Sequence, residues 1–297
     1  MKPRSGEIGY MSSVLTYEHP AEMPPVAGRG EYRTTTELEF RILGPVEVLR
    51  GDQPLLVPGR TAIVVLAGLL LTPGRVVSFD TLIEWRWGSE LPAHPRAALH
   101  SGIARLRRLM GDDLIETVPL GYRLRAVNLR LDLLRFRELV SAAATATARG
   151  AERDAVRFLG EAVAMWRGTP LGNVDSPALV REATPGLTEL YLRAVDQRAG
   201  LCLRLGMHDT VVQELSVVVP RHPFHERLAG QLMIALMRGG RQADALAAYD
   251  RLRRELVGDL GIDPSPALRT LQAKILRADP GWDIAAPLDQ PHWLTRF

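Results

Sequence analysis

The sequence predicts a mainly α-helical protein with a small β component: an N-terminal winged helix-turn-helix followed by an all-α, tetratricopeptide-like helical repeat domain. Three observations carry this expectation. A strand-like lead-in runs into three helical stretches and a basic hairpin. Beyond Leu129 the chain becomes helical. Within that second half one pattern of small and apolar residues recurs.

The lead-in is Phe40-Arg41-Ile42-Leu43, then Val46-Glu47-Val48-Leu49, with Gly44-Pro45 as punctuation between them. Gly51-Asp52 marks a turn before a further short run, Leu55-Leu56-Val57. Apolar spacing from Thr61 to Leu71 suits a buried helix, stopped by Pro73-Gly74. Ser78 is placed to cap a second helix through Trp87, with Phe79, Leu82, Ile83 and Trp87 on its inner side.

The third helix opens at Pro95 and closes at Gly111. Leu99, Ile103, Leu106 and Met110 form one core-facing stripe, and Ala97, Ser101, Ala104 and Arg108 fall opposite. His100 and Arg105 flank that outer face, with Arg96 and Arg107 further round, and the helix contains no acidic residue. Leu114 to Val118 and Tyr122 to Ala126 then read as a hairpin around Pro119-Leu120-Gly121, with Arg123 and Arg125 on the return strand.

In the second half Gly150, Gly206 and Gly240 each stand five residues before Ala155, Val211 and Ala245. Leu159, Leu215 and Tyr249 follow four later, and Ala162, Val218 and Leu252 seven later. The last two units are 34 residues apart, the tetratricopeptide period, and the first two 56; the extra residues hold the Pro/Gly-rich stretch 168–186. Such repeats stack helix pairs and leave a groove for a partner.

At 297 residues, about two domains are expected. Their boundaries read as a disordered arm (1–36), the winged helix (37–128), the repeat domain (129–280) and a tail (281–297). The one cysteine, Cys202, excludes an internal disulfide framework and a multi-cysteine zinc site, and it reads as a core residue. The longest apolar run, Ala62 to Leu71, is ten residues, against the roughly 20 a membrane helix needs. No secretory signal is visible in the first 35 residues, so a cytoplasmic protein is expected. No phosphate-binding Gly-x-x-x-x-Gly-Lys loop, Gly-x-Gly-x-x-Gly turn or Gly-x-Ser-x-Gly elbow occurs; an enzyme is not expected, nor any cofactor or metal. His222, His225 and Glu226 read as a turn or helix start, and Trp166 as core.

Of the 37 basic residues only Lys2 and Lys274 are lysine. Arginine's planar fork suits phosphate oxygens and the O6/N7 edge of guanine. A helix bearing arginines outward, followed by a basic hairpin, is the arrangement that enters a major groove and braces on the backbone. The expected base-reading residues are Arg96, His100, Ser101, Arg105, Arg107 and Arg108; Arg123 and Arg125, on the hairpin, are expected at the backbone.

An ordered set of motifs resembles one family, the Streptomyces antibiotic regulatory proteins. It comprises 40–48 (Phe-Arg-Ile-Leu-Gly-Pro-Val-Glu-Val), 69–77, Trp87-Gly88, Arg105-Leu106-Arg107-Arg108 and Gly121-Tyr122-Arg123-Leu124. It continues through Ala164-Met165-Trp166-Arg167-Gly168, 240–249 and Asp259-Leu260-Gly261-Ile262-Asp263-Pro264-Ser265-Pro266. The resemblance covers roughly Glu39 to Asp279 and implies an OmpR-type DNA-binding domain followed by a bacterial transcriptional activation domain. It further implies a pathway-specific activator of secondary-metabolite genes that binds tandem direct repeats of double-stranded DNA near the −35 promoter element, as a homodimer, and recruits RNA polymerase. Carried over, Ser101, Arg105 and Arg108 approach bases and Arg123 is the wing residue near the backbone. Two places depart: Ala97-Ala98-Leu99-His100 stands where the family has Asn-Ala-Leu-Gln, and Thr61-Ala62-Ile63 where basic residues open its first helix, so that the resemblance leaves Arg60 as the one backbone phosphate contact expected there. Those departures motivate the rival reading, an interaction scaffold whose repeat groove binds a peptide or small effector.

Overall fold

A computed structural model describes residues 38–277; the expected arm, the expected tail and the last three residues of the expected repeat domain lie outside the described residues. β1 (Leu38–Arg41), β2 (Glu47–Arg50) and β3 (Gln53–Leu55) form an antiparallel meander in which Phe40 faces Val48, both pointing into the core. β7 (Arg130–Leu131) joins the same sheet parallel to β1, giving the order β3-β2-β1-β7. The first strand of the second half therefore completes the first half's sheet.

α1 (Arg60–Leu71) is apolar on nearly every side and buried accordingly. β4 (Val76–Ser78) leads into α2 (Phe79–Trp87), where the Ser78 Oγ accepts from the Thr81 N–H at 3.0 Å. α3 (Pro95–Met110) ends where the Gly111 N–H donates to the Arg107 carbonyl at 2.7 Å with φ 100°. Gly102 lets α3 lie against the start of α1, since a Cβ there would meet Thr61 Cγ2 at 3.0 Å. β5 (Ile115–Val118) and β6 (Gly121–Leu124) form the hairpin, and β4 pairs with β6 to give a β4-β6-β5 sheet. This is a winged helix-turn-helix.

The second half pairs α4 (Asp132–Ala148) with α5 (Glu152–Ala164), α6 (Pro177–Arg204) with α7 (His208–Val218), and α8 (Glu226–Arg238) with α9 (Gln242–Glu255). α10 (Pro266–Arg277) packs on the last pair. Gly150, Gly206 and Gly240 occupy the three intra-pair turns with φ of 74°, 72° and 73°. Each turn closes the same way: Ala151, Met207 and Arg241 donate back to the carbonyls of Ala146, Cys202 and Leu236 at 2.8–2.9 Å. The side chains at the recurring positions, from Ala155 to Leu252, are buried. The glycine spacing thus marks a repeated helix-ending motif, and the fold class is the one the sequence predicts.

The described residues fall in one compact unit. The Asp132 carboxylate accepts from the N–H groups of Ile42, Leu43 and Leu133 at 2.8–2.9 Å, and Arg167 Nη2 lies 3.4 Å away. The Arg167 and Leu171 N–H groups donate to the Leu43 and Gly44 carbonyls. These bonds draw Ile42 and Leu43 out of the expected first strand, so it ends at Arg41. Trp85, not Trp87, is the buried tryptophan of α2: its Nε1 donates to Glu182 Oε2 at 2.8 Å and its carbonyl accepts from Ser176 Oγ. Trp87 is half-buried beneath the Arg86 guanidinium. The Pro/Gly-rich stretch is split, for α6 runs through Pro185 and Gly186.

Candidate nucleic-acid interface

α3 presents Arg96, Ala97, His100, Ser101, Ala104, Arg105 and Arg108 to solvent, on the side opposite its buried stripe. The Arg96 guanidinium sits 5.4 Å from the centre of the Phe79 ring. The Arg108 Nε donates to the Ala104 carbonyl one turn back, at 3.3 Å. Arg105 reaches over the start of α1, and Gly59 makes that passage open: a Cβ at Gly59 would stand 2.9 Å from Arg105 Nη1.

His100 is tethered. Its Nδ1 and the Tyr122 hydroxyl are 2.7 Å apart, and its ring meets Phe79 and Tyr122 at centroid distances of 6.0 Å each. Burial pushes the Tyr122 hydroxyl's pKa up, so it stays protonated at neutral pH. This cluster ties the first turns of α3 to β6 through His100 Nδ1, on a residue that is itself exposed.

Arg107 does not join the outer face. Its Nε and Nη2 donate to the Ile115 carbonyl at 3.2 and 2.7 Å, and Nη2 also donates to Thr117 Oγ1 at 2.9 Å. The half-buried guanidinium bonds α3 to β5, so the structure places it apart from the other expected base-reading residues, which are exposed. At this position the helix has already turned toward the hairpin.

The backbone candidates are all exposed or half-exposed, and all are paired with carboxylates. Arg60 Nη1 lies 3.1 Å from Asp175 Oδ2. Arg123 donates through Nε and Nη2 to Glu116 Oε2 at 2.8 and 2.5 Å, and Arg125 Nε donates to Glu116 Oε1 at 2.6 Å. The Arg125 and Arg123 guanidiniums hold the Glu116 carboxyl below its usual range. Arg75 was not among the expected contacts, yet it is exposed immediately before β4, the strand paired with Arg123's strand. Its signal was the strand-like Val76-Val77 beside it, readable as a wing strand only once the sheet is known.

Elsewhere, a solvent-open cleft of about 720 Å³ lies between β1, the 126–131 segment and α4. Its Arg41, Arg135 and Arg167 are paired with Glu39, Glu138 and Asp132. The His225 ring caps α8 by accepting from the Leu228 N–H, and Glu226 accepts from the Ser265 N–H. Among the described residues no acidic, histidine and cysteine group is arranged for a metal, and no helix is long and apolar enough to cross a membrane.

Residues 131–276 match the family described as bacterial transcriptional activator domain. Regulatory protein DnrI of Streptomyces peucetius is 33% identical over 261 residues, 84% of this chain and 96% of DnrI. The chain belongs to the Streptomyces antibiotic regulatory protein family. Regulatory protein AfsR of Streptomyces griseus is 36% identical over 258 residues, 87% of this chain but 26% of AfsR, so the chain spans about a quarter of that relative. A solved structure of Mycobacterium tuberculosis EmbR, in complex with a low-affinity phosphopeptide, matches with a TM-score of 0.74 and 35% identity, covering 82% of this chain and 66% of that one. These family members are transcriptional regulators rather than enzymes, which supports a regulator's role here.

Proposed function

We propose that the chain is a sequence-specific DNA-binding transcriptional activator, pathway-specific for a secondary-metabolite gene cluster. The observation that carries this reading is the outer face of α3: Arg96, His100, Ser101, Arg105 and Arg108 are exposed together on a helix without a single acidic residue. An exposed helix of this kind fits the major groove, and its arginines match guanine edges there. Arg60, Arg75, Arg123 and Arg125 flank it as phosphate contacts, which position the protein without reading sequence.

The repeat domain pairs two copies on tandem direct repeats near the −35 element and offers a surface to RNA polymerase. Two linked half-site contacts gain avidity through effective concentration, so weak single half-sites suffice. No cofactor takes part. The winged helix spans 37–128 and the activation domain 129–280, joined by the shared sheet and the Asp132 bonds.

Selection from a random duplex library with the full chain, at fixed salt, tests the reading. A direct repeat spaced by about one helical turn is expected. Enrichment of no sequence would overturn it in favour of the rival scaffold, with a peptide or small effector in the repeat groove.

A further inference from the structure

Glu116 stands directly opposite Arg123 across the β5-β6 hairpin. One carboxylate there takes N–H bonds from two guanidiniums, two from Arg123 and one from Arg125. The carboxylate side chain is 26% exposed, against 43% and 54% for the two arginines. It lies under the guanidiniums, while they keep the outer position. A guanidinium carries five N–H donors, so both retain donors for a second anion. Carboxylate and phosphate present similar paired oxygens to an arginine fork.

Resting on the DNA-binding reading above, we infer that Glu116 is a specificity-determining residue, a built-in phosphate surrogate that restrains the wing's hold on DNA of any sequence. The three charges sum to +1 rather than the +2 of the arginines alone. The restraint falls on the sequence-blind part of binding. A non-specific complex depends almost entirely on backbone charge, whereas an operator complex also has the α3 face. Without Glu116 the protein is held more tightly by bulk DNA and is titrated away from its operators. Asp175 stands in a similar relation to Arg60, but as a single exposed pair at 3.1 Å, of the kind that contributes little.

Binding of the full chain to a random-sequence duplex, followed by fluorescence anisotropy across a salt series, tests this. Glu116→Gln is expected to tighten binding by about five-fold near 0.1 M salt, the order of one unit charge a few Å from a phosphate in water. The log-log salt slope is expected to steepen by about 0.9, one further phosphate neutralised. Glu116→Ala should move both quantities the same way, because it too removes the charge. In an Arg123→Ala/Arg125→Ala background, Glu116→Gln should change the slope by much less. Equal or weaker binding by Glu116→Gln, with wild type binding normally, would overturn the inference and leave Glu116 as a mere support for the arginines. Failure of every form to bind any duplex at the lowest salt would overturn the DNA-binding reading along with it.

Discussion

The Asn173 side chain pairs with both backbone groups of Val46: its Oδ1 accepts from the Val46 N–H at 2.7 Å and its Nδ2 donates to the Val46 carbonyl at 3.0 Å. An amide used in both directions mimics one rung of a β-ladder. It fixes the loop between α5 and α6 against the β1-β2 turn, 127 residues away in sequence. With the Asp132 bonds, it joins the winged helix to the repeat domain through directed contacts as well as apolar packing.

Asn173→Ala removes both bonds at Val46, whose side chain is buried. A cost of about 1–3 kcal/mol is expected, the range for leaving a buried polar group unpaired. Differential scanning calorimetry checks it: for a protein of this size each kcal/mol lowers Tm by about 2–4 °C. An unchanged Tm would show that water replaces the amide without loss.

Gly68→Ala tests the packing beneath that junction. A Cβ at Gly68 would fall 2.5 Å from Trp85 Cζ3 and 2.9 Å from Cε3. The ring is pinned at Nε1 by Glu182, and the Trp85 carbonyl by Ser176, so retreat is opposed at two points. Overpacking of this kind costs about 1–3 kcal/mol. Calorimetry should show the loss, and pairing Gly68→Ala with Trp85→Leu should recover part of it. Equal Tm for wild type and Gly68→Ala would mean that α1 and α2 separate freely.

The physical range of each signal decides how much of this is legible in sequence. Ser78, Pro95, Gly111 and the three turn glycines act within a few residues of themselves, so the helices they bound can be read from spacing alone. The outer face of α3 is legible for the same reason: 100° per residue separates Ser101 and Arg108 from Leu99 and Ile103. Trp85 is a different case. Its burial depends on Glu182 and Ser176, roughly 90 residues further along, and no local period announces them. Pro185 stands within α6, although proline normally breaks a helix interior. Glu116 is plain in the sequence as a charged strand residue, but its hold on two arginines follows from the hairpin register. Arg107 likewise turns from candidate reader to structural tie only when β5 is placed beside it.

Acidification should weaken the fold through two histidines. Burial is the main cause that lowers the pKa of His208, at the start of α7, and also of His222, beside Tyr191. For a lowered pKa, the unfolded chain binds the proton more readily than the folded one. Their stabilisation is therefore complete above about pH 6.5 and is lost as pH falls through the lower folded values. Urea midpoints measured between pH 7 and pH 5 should fall less steeply for His208→Gln/His222→Gln than for wild type. Superimposable slopes would sink this assignment.

Arg107 and Arg108 are sequence neighbours with opposite expected phenotypes. Arg107 spends its donors on the Ile115 carbonyl and Thr117 Oγ1, so Arg107→Ala should cost about 1.5–3 kcal/mol of stability, the range for bonds made by a charged donor. Arg108 is exposed, and its Nε donates to a carbonyl of its own helix. Arg108→Ala should leave Tm within about 1 °C while weakening operator binding by about 1–3 kcal/mol, with little loss on random duplex. Melting curves and anisotropy on both variants, at one salt concentration and below either melting transition, separate the two roles. A loss of sequence discrimination in Arg107→Ala at unchanged Tm would mean that its guanidinium leaves β5 when DNA binds; unaltered operator affinity in Arg108→Ala would remove Arg108 from the reading face.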